Sequence, residues 1–353
     1  MFKKSVLLSN LYLWLFFIFC LIFLYTIGID AMKGNIDFEF YADTETYMSI
    51  SEENYSFQEI LLINPNLIGP YTILRLLGNS YYFVFFLNFL IFSYFFLKLT
   101  KLYDLNRNLL LVLLIISPIM FGSLIGINKE IFSVLVIALM LVYHKKQKYI
   151  YIFLAFLLAF LVRWQMALFV LVYTVMTSKF NPIKDKFFLN VFVFLALVSI
   201  LYPLNLSSFE DIDSVASEAR DNKVEGSGLF SILISIQNYP FGYLIVFIPK
   251  ALFLLGGILF RFYKVFDFSD IYNNLFIFIQ SLLSIILLVQ IVRKKISIHN
   301  HFIYMGVLYC IIFCLSPIYA PRYLFPCYIF MALALSERKF TDLSLDQSEP
   351  IIN

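Results

Sequence analysis

Five basic residues sit in apolar surroundings: Arg75 in INPNLIGPYTILRLLGN, Lys129 in GINKEIF, Arg163 in LVRWQ, Lys250 in IPKAL and Arg322 in APRYLFP. Guanidinium and ammonium groups gathered in an apolar pocket require an anion. Arg binds phosphate through paired N–H bonds and Lys as a point charge, so a lipid-linked phosphate or diphosphate is the anion expected here. Gln165 and Tyr323, in the same short motifs as Arg163 and Arg322, are candidate substrate contacts. Glu130 follows Lys129 directly, so a local Lys–Glu pair, or a snorkelling stem, is the competing account of Lys129. Asp43 and Glu45 in YADTETYMSI are acids of the kind that deprotonate a sugar hydroxyl or hold a divalent metal. Solvated loop charge is the alternative for each.

Other chemistries lack their residues. The sequence has no Gly-rich phosphate loop, no metal-spaced His or Cys cluster and no Ser-His-Asp set. Its three histidines, His144, His299 and His301, fall in expected loops. Nucleotide-driven chemistry, a bound organic cofactor and a nucleic-acid partner are therefore not expected.

The elements that must position these residues are membrane helices. The 353 residues are 61% hydrophobic and 14% charged, with a mean hydropathy of +0.86. Soluble domains run at about 45–50% apolar and about 25% charged. A single domain over residues 1–340 is expected, all-α and polytopic. Its expected spans are about 6–28, 80–97, 109–127, 130–143, 149–162, 166–177, 187–206, 272–292, 301–317 and 322–336, with a tail at 341–353 in the cytoplasm. The opening MFKK and the apolar run from Ser5 to Gly28 read as a retained signal anchor, too long for a cleaved h-region. Cys20, Cys310, Cys314 and Cys327 all lie in apolar runs and read as buried free thiols.

Charge sets the orientation. Sixteen of the 26 basic residues, from Lys3 and Lys4 to Arg338 and Lys339, fall in alternate short loops and at the termini, which makes those segments cytoplasmic. Acids collect on the other side, in outward loops at about 29–79 and 207–228. The apolar stretch 229–260 must then cross twice or not at all. It is too short for two full helices, so a re-entrant segment around Tyr239-Pro240 and Pro249-Lys250 is expected. Irregular backbone at that depth requires protein or a wet cavity around it.

Taken together, the hydropathy, the two outward loops and the motifs YADTETYMSI, GINKEIF, LVRWQ and APRYLFP resemble bacterial O-antigen and capsular polysaccharide polymerases. More broadly, the chain resembles the membrane glycosyltransferases that use polyprenyl-linked sugar donors. The resemblance implies an outer-face enzyme of the plasma (inner) membrane, working in lipopolysaccharide or capsule synthesis on undecaprenyl diphosphate-linked saccharide. Membrane lipid and a chain-length regulator protein are the partners it implies. It also implies Asp43 as base or metal ligand, and Arg163 and Arg322 on the lipid diphosphate. The chain is shorter than many polymerases, with a modest second outer loop. A transferase adding one sugar from a polyprenyl phosphate donor therefore stays open, as does a flippase or transporter of lipid-linked saccharide.

Overall fold

A chain with so few polar side chains must satisfy its backbone N–H and C=O groups internally, and in hydrocarbon a helix does this within one segment. The computed structural model describes residues 2–33, 35, 42–53, 55–56, 58–60, 67–204, 227–257, 271–316 and 321–338. Among them the chain is all-helical except for an isolated bridge between Leu105 and Glu337. The helices are α1 (Phe2–Phe23), continued by a π-helical turn (Leu24–Gly28) and Ile29–Met32, then α2 (Ala42–Glu52), α3 (Ile68–Leu76) and α4 (Tyr81–Leu102). There follow α5 (Arg107–Ile115), α6 (Pro118–Ile125), α7 (Glu130–Lys146), α8 (Tyr149–Val162), α9 (Trp164–Thr177) and α10 (Phe187–Leu204). The last are α11 (Ser227–Gln237), α12 (Gly242–Leu255), α13 (Ile271–Val292), α14 (His301–Phe313), a 3-10 turn (Pro321–Leu324) and α15 (Phe325–Leu335).

Among the described residues, four helices are long and apolar enough to cross a membrane: Val6–Met32, Tyr81–Leu102, Phe187–Leu204 and Tyr272–Val292. Each leaves many large apolar side chains exposed, among them Trp14, Leu90, Leu201 and Val292, as lipid-facing helices do. Inside them lie shorter helices. Every residue from Glu130 to Tyr143 except Leu135 is buried on α7, and α15 is buried from Phe325 to Ala334. A helix apolar on all sides belongs to the centre of a bundle.

The span expected over 109–127 is broken, because α5 and α6 meet at 77°. Pro118 disfavours helical geometry at Ser117, and the Ser117 hydroxyl accepts a hydrogen bond from the Met120 amide to cap the new helix. In the stretch 229–260, α11 and α12 form a hairpin of 11 and 14 residues, each shorter than the roughly 17 needed to cross. It turns at Tyr239-Pro240, with Phe241 left-handed at φ 62. The first expected outer loop contains α2 and α3, so Asp43 and Glu45 lie on a helix. Amphipathic contacts explain this: Tyr47 and Met48 of α2 bury against Leu74 of α3, Val84 and Ile127. The rest of the outward loop at 207–228, up to Gly226, and the tail at 341–353 lie outside the described residues.

One close backbone approach joins α3 to α8. A Cβ on Gly69 of α3 would lie 1.9 Å from the carbonyl oxygen of Leu161 on α8. Backbone cannot retreat as a side chain can, so Gly69→Ala is expected to cost about 1–3 kcal/mol as overpacking does. The melting temperature of the detergent-solubilised protein measures this. Gly306→Ala is the control, because its Cβ would meet Phe330 at an ordinary 3.5 Å and alanine favours the helix. Equal melting for both variants would refute the close approach.

Candidate functional site

Arg163 is the one residue between α8 and α9, and it closes both. Its amide donates to the Ala159 carbonyl, and its carbonyl accepts from the Met166 amide, with its own backbone extended at φ −166 and ψ 147. A long charged side chain is thereby held at a helix break. Glu130 opens α7, where an acid suits the partial positive charge of the helix end. Its amide donates to the Asn128 side chain.

These two residues, 33 positions apart, meet: Arg163 Nη2 donates to Glu130 Oε1 at 2.5 Å, with side chains only 9% and 6% exposed. A local pair with Lys129 was one competing account of Glu130, whose Oε1 goes to Arg163. Lys129 precedes the helix and its side chain is half-buried, whereas Glu130 faces the bundle interior. Glu130 Oε2 is buried with no hydrogen-bond partner.

Arg163 lies flat on the Tyr323 ring, with Cζ 3.7 Å from the centroid, and Arg322 approaches the same ring at 5.6 Å. A desolvated cation over an aromatic face gains about 2 kcal/mol. The 3-10 turn carrying Arg322 and Tyr323 is tied to α14, because the Tyr309 hydroxyl donates to the Tyr323 carbonyl at 2.8 Å. Tyr309 is itself stacked on Phe313, 4.1 Å between centroids. Glu130, Arg163, Tyr309, Arg322 and Tyr323 line one cavity of about 10 Å³, room for about one water molecule. Of the described side chains lining it, two carry a positive charge and one a negative charge.

The irregular segment leading into Glu130 is satisfied by side chains. Asn88 of α4 donates to the carbonyls of Leu124 and Gly126, and the buried Thr44 hydroxyl of α2 donates to the Ile127 carbonyl. Thr44 therefore brings the α2 backbone, with Asp43 and Glu45 on it, to the end of α7. The side chains of Asp43 and Glu45 lie outside the described residues.

Other expected members stand apart from this cavity. Arg75 lies exposed on α3, where its Nη1 donates to the Tyr71 hydroxyl and the Tyr55 carbonyl. Lys250 is fully buried on α12. Its Nζ donates to Gln237 Oε1 at 2.6 Å and to the Ser316 carbonyl at 3.1 Å, joining the hairpin to the segment beyond α14. Gln165 sits on the first turn of α9, its Oε1 buried with no hydrogen-bond partner, and does not line the cavity. Tyr309 and Gln237 carry no signal in the sequence, one being among 24 tyrosines and the other a neutral residue in an apolar run.

Of the three histidines, His299 lies in the turn before α14 as expected, while the other two lie on helix ends. His144 lies on the last turn of α7 and His301 opens α14. The rings stack at 3.5 Å, and each has a nitrogen 3.2 Å from the Tyr173 hydroxyl. They sit at the opposite end of α7 from Glu130. Cys20, Cys310, Cys314 and Cys327 are free and buried. Among the described residues no three His, Cys, Asp or Glu side chains gather as a metal site.

The ring under Arg163 is open to test. Tyr323→Leu is expected to destabilise the detergent-solubilised protein by about 2 kcal/mol, the gain of a desolvated cation on a ring. Tyr323→Phe, which keeps the ring, should melt close to the parent; equal loss in both variants would assign the effect to the hydroxyl. Comparison with protein-family models, curated proteins and solved structures finds no match to this chain.

Proposed function

We propose that the protein is a membrane glycosyltransferase at the outer face of a bacterial plasma (inner) membrane. In this reading it polymerises undecaprenyl diphosphate-linked repeat units into O-antigen or capsule. The supporting observation is a small cavity lined by two guanidinium groups and one carboxylate, one of whose oxygens is buried with no hydrogen-bond partner. About ten spans carry the chain with its N-terminus in the cytoplasm, the shorter apolar helices crossing together with their polar flanks. Lys145, Lys146 and Lys148 then lie inside, and Glu130 and Arg163, at the other ends of α7 and α8, lie towards the outer face.

The acceptor hydroxyl oxygen attacks the anomeric carbon of the donor, and the bond from that carbon to the diphosphate oxygen breaks. The electron pair leaves with the diphosphate, whose growing charge Arg163 and Arg322 stabilise as fixed cations. Glu130 Oε2 takes the hydroxyl proton, a role for which its lack of a partner suits it. The cavity admits one oxygen-sized group, in this reading the acceptor hydroxyl, so the diphosphate meets the cations from the half-buried Arg322 side and the sugars and the carrier lie outside. Departure of diphosphate drives the transfer, and no nucleotide is required.

The test is to delete the gene and compare surface polysaccharide with the parent on a gel. Loss of the ladder with a retained single-repeat band is the expected result. An intact ladder of altered mobility would replace this reading with a single-sugar transferase. Accumulation of unflipped lipid-linked unit on the inner leaflet would replace it with a flippase.

A further inference from the structure

A second feature lies at the other, basic end of the molecule. A groove of about 450 Å³ runs between α1 and α4, walled by Trp14, Phe17, Phe86 and Leu97, with Ser93 midway and Asn10 at its end. From Phe86 to Leu97 the groove follows eleven residues of helix, about 16 Å, the depth of one leaflet of a roughly 30 Å hydrocarbon core. Its rim is open: Trp14 and Leu97 are exposed.

The Asn10 end is cationic. Arg107 Nη2 donates to Asn10 Oδ1 and its Nε donates to Ser9 Oγ, both at 2.9 Å. Neither acceptor is charged, and among the described residues Arg107 has no carboxylate partner. Its charge is opposed by neighbouring Arg338, whose own partner is Asp104 at 3.7 Å. Arg107 also stands on the first turn of α5, where the helix end already carries partial positive charge. Each of these features calls for an anion beside the groove. With Oδ1 given to Arg107, the Asn10 amide N–H groups remain as donors at the same place.

We infer that this groove is a binding site for one anionic phospholipid, its acyl chain between α1 and α4 and its phosphate on Arg107 and Asn10. The groove shares no lining residue with the Arg163 cavity and does not depend on the function proposed above.

Native mass spectrometry of the full chain in detergent, with phosphatidylglycerol or phosphatidylcholine of identical chains added, tests the inference. The wild type is expected to retain one phosphatidylglycerol about five- to ten-fold in preference to phosphatidylcholine. Arg107→Gln should bind the two equally, while Arg107→Lys, which keeps the charge, should keep the preference. Ser93→Phe, which fills the groove from an α4 position, should lose the bound lipid of both kinds. No preference in the wild type, an unchanged preference in Arg107→Gln, or an unchanged lipid count in Ser93→Phe would each reduce the groove to ordinary boundary lipid.

Discussion

The double variant Glu130→Gln/Arg163→Met is expected to accumulate in the membrane at the wild-type level and to make no polymer. Each single variant is expected to fail differently. Arg163→Met leaves the Glu130 carboxylate buried without its cation, and Glu130→Gln leaves the guanidinium without its anion. Breaking a buried pair from one side costs about 3–5 kcal/mol, whereas replacing both partners by neutral groups of similar volume is often neutral or stabilising. The single variants should therefore melt early when solubilised, and the double variant should not. Chemistry follows another rule, because the double variant has lost both a transition-state cation and the proposed base. Losing one pre-organised donor lowers turnover about 10²–10³-fold, and losing a general base about 10²–10⁴-fold. Recovery of stability without recovery of polymer separates function from packing. A double variant with wild-type chain lengths would make the pair a structural one and remove the proposed mechanism. Arg163→Lys should retain a fraction of activity, since it keeps the charge but loses the planar fork and the face-on contact with Tyr323.

Lys250→Met should show the reverse pattern, losing stability while keeping turnover per folded molecule. Nζ holds Gln237 Oε1 and the Ser316 carbonyl, and each buried acceptor left bare costs about 1–3 kcal/mol. Met preserves most of the stem's packing, so the loss reports the amine. Adding Gln237→Leu removes one of the two bare acceptors and should restore part of the melting temperature. The Gln237 amide would then no longer donate to the Leu315 carbonyl, now at 2.8 Å, which is why recovery should be partial. Normal melting with abolished polymer would instead make Lys250 part of the chemistry.

The contrast between Arg163 and Lys250 shows how far the sequence reaches. Both are cations in apolar runs and both are equally unusual by composition. The apolar run flagged each, because a charge there needs protein or water around it. Their partners were not, since Glu130 lies 33 residues from Arg163 and Gln237 lies 13 residues from Lys250. Local reasoning offered Glu130 only its neighbour Lys129 as a pairing partner. Arg75, with the same credentials, turned out to lie exposed on α3 and bonded to Tyr71. The Ser117-Pro118 break was readable from local chemistry but was hidden in an apolar run that looked like one span.

The sequence by itself determined that the chain is helical and apolar enough to enter a membrane, and which of its few charges lie in apolar runs. Those properties accumulate residue by residue, as transfer free energy and helix-internal hydrogen bonds do. Only the tertiary structure decided that Glu130, Arg163, Arg322, Tyr323 and Tyr309 share one cavity and that Arg75 and Lys250 do not. The deciding quantities were the packing of α7 against α8, the tie from Tyr309 to the 3-10 turn, and the hydrogen bonds of Asn88 and Thr44 to the irregular segment before Glu130. Each joins residues far apart in the chain, and whether they meet depends on how the helices between them pack, which no local pattern encodes.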